Sequence, residues 1–471
     1  MTATRRLLAA AIAATLGTAS AHSDSLLDIY ELAVQNDPQL KAAEATYRAN
    51  IEAEDLGRAA LLPQISAQAY YQDAETESDG KSTTLSATGS PTVIDQSTTT
   101  DAETESLSLT LNQAIFDLSA WFNFRAGQKL SEQAEAQLAY DQQQLIVRVA
   151  DAYFNVLRAR ENLDASKAEE RAAKRQLEQT QERFDVGLIA ITDVHESRAA
   201  YDNAVAQRLA FDGDLAIARE NLSLLTGQEH GKLQSLKDSY PIAEPQPASR
   251  AEWVEFALEN NYQLKVAEAA SGAAYQTARS KKMEHLPKVS GSFSYTNEDM
   301  SGSRRFNPES TFSVPPDNET ETEALRLTVS MPLFSGGAVS AGRRQAYEQY
   351  NASRYNAQLT QRQVVNGTRA QHIAVYTAVQ RVKARKQNIV SARSALDATE
   401  AGYEVGTRNV VDVLNAQRAL YAAMRDYTNT RYDYVVNMLR LKLNAGTLSP
   451  ADITNLNNWL AESESTSLSK G

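Results

Sequence analysis

Gln181-Glu182-Arg183-Phe184-Asp185-Val186-Gly187-Leu188 leads into Ala190-Ile191-Thr192-Asp193-Val194. The pattern returns as Ala401-Gly402-Tyr403-Glu404-Val405-Gly406-Thr407-Arg408, leading into Val410-Val411-Asp412-Val413-Leu414. Val186-Gly187 recurs as Val405-Gly406, and Asp193-Val194 as Asp412-Val413, each 219 residues later. Outward from these turns the echo continues. Gln39-Leu40-Lys41 recurs as Gln263-Leu264-Lys265 and Leu62-Pro63 as Leu286-Pro287, at a spacing of 224. Leu109-Thr110 and Phe116 recur as Leu327-Thr328 and Phe334, at 218. Common order and near-constant spacing mark a duplication, with a period longer than solenoid repeats use. Residues 22–230 and 251–446 are therefore expected to share one fold. A linker at 231–250 contains the Pro-rich stretch Pro241 to Pro247.

Each half reads as helix, strand, strand, long helix, helix. Ile65, Ala67, Ala69 and Tyr71 alternate with Ser66, Gln68, Tyr70 and Gln72, and Leu107, Leu109 and Leu111 with Ser108, Thr110 and Asn112. In the second half Val289, Gly291, Phe293 and Tyr295 alternate with Ser290, Ser292, Ser294 and Thr296. Leu325, Leu327 and Val329 alternate with Arg326, Thr328 and Ser330. Strands are expected at about 63–73, 105–116, 287–297 and 323–334. An apolar-out, polar-in dyad suits a transmembrane barrel strand; a half-buried soluble hairpin would read the same. Between paired strands, Asp73 to Glu105 and Asn297 to Glu323 read as long acidic loops. They favour the outer side of a membrane barrel; disordered surface insertions are the alternative.

No proline falls between residues 92 and 240 or between 333 and 449. Long helices are expected over 117–184 and 337–403, followed by helices over 190–229 and 409–445. Such long helices would each span on the order of 100 Å at ~1.5 Å per residue. Leu145, Val149, Ala152, Val156, Ala159, Leu163 and Ser166 step by four and three as a heptad seam. Ile146, Ala150, Tyr153 and Leu157 form a second seam beside it. Two adjacent seams let a helix touch a neighbour on each side, as in a ring of helices; a helix buried in a bundle is also wide-striped.

Composition narrows the class. Arg5 and Arg6, the apolar run Leu7 to Leu16 and Ala19-Ser20-Ala21 read as a cleavable export leader over 1–21. No later run of 18 apolar residues exists, so a membrane location would require a β-barrel. The chain has no cysteine, hence no disulfide framework, thiolate metal site or lipidated Cys. A net charge of −12 argues against nucleic acid. His22, His195, His230, His285 and His372 form no metal-ligand spacing, and neither a phosphate loop nor a nucleophile elbow appears. No enzyme and no cofactor are expected.

Four strands cannot close a barrel, and open edges in lipid leave backbone groups unpaired. Closure needs about eight strands or more, and eight leave an interior filled by side chains. A trimer gives twelve; the residues do not choose between three copies and four. A periplasmic coiled-coil adaptor or scaffold is the alternative class.

The two turn motifs, with Leu61-Leu62-Pro63-Gln64, Ala114-Ile115-Phe116-Asp117, Ala152-Tyr153-Phe154-Asn155-Val156-Leu157 and Ser330-Met331-Pro332-Leu333-Phe334, resemble the TolC family of outer-membrane factors across essentially the whole chain. The similarity is closer to the branch that gives the family its name than to the lipidated efflux branch. It implies a mixed α and β chain. Three copies would supply a 12-stranded outer-membrane β-barrel, four strands per chain, continuous with a long periplasmic α-helical barrel of coiled coils. It implies an exit duct for multidrug efflux or type I protein secretion, with a periplasmic adaptor, an inner-membrane multidrug or ABC transporter and outer-membrane lipid as partners. Residues 231–250 and 447–471 would supply an equatorial segment and, from about Glu462, a Ser-rich disordered tail. Gly187, Leu188, Gly406 and Thr407 would form adaptor-docking turns. Thr192, Asp193, Tyr403 and Arg408 would form a network that closes the tip. Asp412 and Asn415 lie one helical turn apart on one face; the family usually carries two aspartates there, and Asn415 departs from it.

Overall fold

A computed structural model describes residues 24–461 except 87, 308 and 310–313. The leader, His22 and the tail from Glu462 lie outside the described residues. The chain divides into two units. One comprises the described parts of 1–48, 134–267 and 357–471; the other comprises 49–133 and 268–356.

Each half opens with two helices where the sequence suggested one. Helix α1 (Leu26–Asn36) starts in a capping box between Ser25 and Asp28. Asp37 ends it, and its carboxylate accepts the Leu40 N–H (3.2 Å) at the start of α2 (Pro38–Ala59) while receiving Arg148 at 2.5 Å. In the second half Asn261 stands between α5 (Arg250–Asn260) and α6 (Tyr262–Met283), and its Oδ1 accepts the Leu264 N–H at 3.0 Å. Short Asp and Asn side chains offer the backbone a local partner in place of the helical ladder. These caps, joined in the first half by Pro38 with its missing N–H, break an otherwise continuous helical pattern at both places.

Four antiparallel strands make one sheet in the order β1 (Gln64–Leu85), β2 (Pro91–Phe116), β4 (Lys288–Asn307), β5 (Asn318–Ser330). The strands outrun the expected 63–73, 105–116 and 287–297. Most of the acidic stretch 73–105, read as a loop, is paired strand. The register runs unbroken from Gln64 opposite Asn112 to Leu85 opposite Pro91. The reversal is confined to 86–90, where Gly89 has φ 78°. Thr-rich alternation carries the ladder outward despite the charge, since β-branched side chains suit a pleated strand. At the other end β5 stops at Ser330, short of the expected 334, two residues before Pro332, which has no N–H to donate.

The register sorts the sheet into two faces. Ile65, Leu111, Phe293 and Leu325 lie side by side on one, followed by Ala67, Leu109 and Tyr295. Further along, the same face carries Tyr71, Glu105, Asp299 and Glu319, then Asp73 beside Glu103 and Glu75 beside Asp101. The opposite face carries Ser66, Thr110 and Ser294, then Gln68, Ser108, Thr296 and Thr322. Among the described residues nothing pairs with the outer edges of β1 and β5.

Long helices follow: α3 (Leu118–Asp185), α4 (Ile191–Thr226), α7 (Ala338–Glu404) and α8 (Val410–Asn444). Asp117 N-caps α3 by accepting the Ala120 N–H (3.0 Å) and pairs with Lys288 at 2.9 Å. Both seams of α3 are buried within this one chain. Val149, Ala150, Tyr153 and Leu157 are fully enclosed; only Ala152 is half-buried. The core of this unit gathers Tyr153, Phe154 and Tyr432 in ring contact with Leu26, Ile29, Leu222 and Leu441. Each such aliphatic side chain contributes roughly 1.5–3 kcal/mol on burial. The linker is anchored here. β3 (Ser235–Leu236) pairs with β6 (Leu460–Ala461), which follows α9 (Pro450–Asn457), and the Tyr434 hydroxyl donates to the Ala243 carbonyl at 2.8 Å.

Candidate functional site

The candidate site lies where α3 turns into α4 and α7 into α8. Both long helices end in the same Schellman motif. Gly187 N–H bonds Phe184 C=O (2.8 Å) and Leu188 N–H bonds Arg183 C=O (2.9 Å). Gly406 N–H bonds Tyr403 C=O (3.1 Å) and Thr407 N–H bonds Gly402 C=O (2.8 Å). The motif requires a left-handed residue, and Gly187 and Gly406 supply φ of 78° and 76°. Space beside both glycines is open. Val186, Leu188 and Val405 around them are each at least 70% exposed, an apolar surface uncovered in the single chain.

The next helices start differently. In α8, Asn409 Oδ1 accepts the Asp412 N–H (2.9 Å), and the Asp412 carboxylate accepts the Asn409 N–H (3.4 Å). Arg408 stands 3.8 Å from the same carboxylate. In α4 the position equivalent to Asn409 is Ala190, which has no side chain able to cap. Asp193, the counterpart of Asp412, makes no hydrogen bond or ion pair through its carboxylate among the described residues. Duplicated positions thus carry one engaged carboxylate and one free one, both near helix N-termini that favour negative charge.

Tyr403 is buried with Ala200 of α4 and Val410, Val413 and Leu414 of α8. Its hydroxyl is enclosed without a partner. The Arg183 guanidinium lies 4.8 Å from its ring centroid. The structure brings Tyr403, Arg408 and Asp412 into one neighbourhood. Within the chain it does not join Thr192 or Asp193 to them by a side-chain bond. Asn415 is exposed one turn beyond Asp412. Sequence reasoning missed two members, the cap Asn409 and Arg183. An Asn-x-x-Asp spacing before an apolar run was the available signal for the first; nothing local announces the second. Among the described residues no three His, Asp or Glu side chains gather as a metal site.

Long helical hairpins, a four-stranded sheet apolar along part of one face, and apolar turns left uncovered are the parts of a channel subunit. The chain belongs to the outer membrane efflux protein family, whose pattern matches residues 29–228 and 253–447, one match per repeat. It is similar to the outer membrane protein TolC of Vibrio cholerae, 35% identical over 97% of this chain and 99% of that protein. Similarity to TolC of Escherichia coli is 33% over 94% and 86%. The alkaline protease secretion protein AprF of Pseudomonas aeruginosa is 31% identical over 91% and 85%. Among solved structures, the outer membrane protein VceC of Vibrio cholerae superposes with a TM-score of 0.69 at 18% identity, covering 89% of this chain and 96% of that one. The Campylobacter jejuni CmeC outer membrane channel gives 0.70 at 16%, covering 93% and 90%. These likenesses show the mixed α and β fold. The chain is an outer-membrane channel for efflux or secretion, extending into the periplasm. Proteins of the TolC family act as homotrimers with periplasmic adaptors and inner-membrane transporters.

Proposed function

We propose that three copies of this chain close a 12-stranded barrel, four strands each, continuous with a periplasmic helical barrel. In this reading the assembly is the exit duct of a tripartite pump, for drug efflux, type I secretion or both. The observation that carries it is the pair of open edges, β1 and β5, on a sheet whose one face is apolar over the strand ends nearest the helices, from Ile65 to Ala69 and their neighbours. In lipid those edges must be paired, and only other copies of the chain can pair them symmetrically. Exposed apolar residues along α7, Leu359, Ile373, Tyr376 and Val390, support the same closure, since they lie 14, 3 and 14 residues apart along one helix. The repeats 22–230 and 251–446 would then contribute equivalent parts of the ring, with 231–250 and the segment after Gly446 forming its equatorial belt.

At the tip, Gly187, Leu188, Gly406 and Thr407 would receive adaptor hairpins. Thr192 and Asp193 would meet Tyr403 and Arg408 across helical hairpins or between protomers. The free carboxylate of Asp193 and the unpartnered Tyr403 hydroxyl support such a latch. Asp412 would form one entrance ring of carboxylates, with Asn415 supplying dipoles only. A chain without cysteine offers a clean test of the closure. Ser66→Cys on β1 and Ala324→Cys on β5, scanned with their neighbours, should cross-link into a ladder that ends at three chains. A ladder ending at four, or none at any register, contradicts the trimeric barrel.

A further inference from the structure

Arg183 and Gly402 occupy the same position of the two repeats and differ completely in what they offer. In the first repeat the position supplies a cation in the last turn of α3. In the second it supplies a notch, filled by the stem of Arg408. A Cβ on Gly402 would lie 2.8 Å from Arg408 Cγ. Tyr403 sits beside that notch, with the Arg183 guanidinium 4.8 Å from its ring centroid and Ala200, Val410, Val413 and Leu414 around it. Among the described residues Arg183 makes no ion pair and no side-chain hydrogen bond, so Glu182 and Asp185 beside it in sequence do not take its charge.

We infer that Arg183 is a further gating residue: it clamps the Tyr403 ring and so ties the end of α7 to the end of α3 in the resting tip. The inference rests on the reading of Tyr403 and Arg408 as part of the latch. A planar, weakly hydrated guanidinium is attracted to an aromatic face and is suited to a half-buried position. Any motion that parts the α7–α8 turn from α3 must pull the ring from under this cation and expose the apolar pocket behind it. Tyr403 would thus be held twice, by its ring on one side and by its hydroxyl once a latch partner arrives. The ordinary role for Arg183 is to complement the dipole at a helix C-terminus. A lysine would serve that role as well, because it needs charge and no planar face. Removal of the Tyr403 ring separates the two roles, since complementing a dipole needs no ring at 403.

The test is conductance in planar bilayers of the detergent-extracted assembly. Arg183→Leu, Arg183→Gln, Arg183→Lys and Tyr403→Leu would be compared with Arg183→Leu/Tyr403→Leu. Tyr403→Phe/Arg408→Ser serves as a control for the latch, and oligomer retention on electrophoresis shows that each variant is assembled. Arg183→Leu and Arg183→Gln should raise conductance severalfold, and Arg183→Lys, whose ammonium can also sit over a ring, should bring it back toward the wild-type value. In the Tyr403→Leu background Arg183→Leu should add nothing, because the ring it acts on is gone. Wild-type conductance in Arg183→Leu and Arg183→Gln beside an opened control refutes the clamp and leaves the latch standing. Additive effects in the double variant also refute it. A control that stays closed refutes the latch itself.

Discussion

Asp193 and Asp412 show how much one neighbouring residue decides. Both were legible as acidic residues near helix starts, but only the structure shows that Asn409 engages Asp412 while Ala190 leaves Asp193 free. Asp412→Ala should cost less than the ~1 kcal/mol of a lost N-cap, because the Asn409 side chain still caps the backbone N–H at 412. It should also abolish block of the open channel by trivalent cations. Asn415→Asp should strengthen that block, since a second ring deepens the negative potential of a narrow mouth. Bilayer recordings check both; unchanged block in Asp412→Ala removes the entrance ring from the account. Gly446 poses a steric question. Its φ is 71°, and an added Cβ would lie 2.4 Å from the Asn260 backbone. Gly446→Ala should lower the thermal midpoint well beyond Gly187→Ala, which meets open space and bears only the ~1–2 kcal/mol cost of the left-handed conformation. Equal midpoints would contradict this packing.

Asp117 adds a pH dependence at the same scale. Burial alone would raise its carboxyl pKa, but the Ala120 N–H and Lys288 hold it below its usual range. A depressed folded-state pKa stabilises above the unfolded value and is lost as pH falls through the folded one. Below about pH 4 the wild type should therefore lose a stabilisation that Asp117→Asn lacks at every pH. Thermal melts across pH 3 to 7 would show two curves converging at acid pH; parallel curves would contradict the assignment.

At the scale of elements, alternation in the strands was readable and their length was not. Ile65 to Tyr71 declare a strand because apolar and polar residues take turns. From Asp73 onward both faces are polar, so the pattern no longer distinguishes a ladder from a loop. What continues the strand is pairing with residues far along the chain, Glu75 with Asp101 and Thr76 with Thr100. The breaks at Asp37 and Asn261 are hard to read in the sequence for a related reason, since a one-residue interruption hardly disturbs a helical period. Face assignment gives the sharpest element-level test. Ala69 lies beside Leu107 and Gln68 beside Ser108. Ala69→Arg should impair assembly, as Arg at mid-membrane costs roughly 2–4 kcal/mol in a barrel. Gln68→Arg should assemble and change conductance. Outer-membrane yield and single-channel current measure the two; equal assembly would mean that the lipid and lumen faces are misassigned.

For the molecule as a whole, duplication was the most legible feature. It fixed the order of elements and pointed to both turns, because matched residues at near-constant spacing survive even where strand ends blur. The proposed latch was legible only as a set of residue types. Tyr403 is buried beneath Arg183, a contact between two repeats that no local pattern could announce. Hydrogen bonds to charged partners contribute about 1.5–3 kcal/mol where sheltered and less where exposed. Repeated by symmetry, even small contributions at each tip residue would hold a channel shut. Tyr403→Phe/Arg408→Ser should therefore raise conductance severalfold and make cells leakier to large antibiotics, while export still requires the pump. Wild-type conductance and permeability would exclude these two residues as the latch.

The central claim is that this chain works as a closed ring of three in the outer membrane. Native mass spectrometry of the protein extracted from outer membranes with mild detergent tests it most directly. One species holding three chains is expected, absent from the soluble fraction when detergent is omitted. Soluble monomers without detergent, or a membrane species of any other copy number, would contradict it.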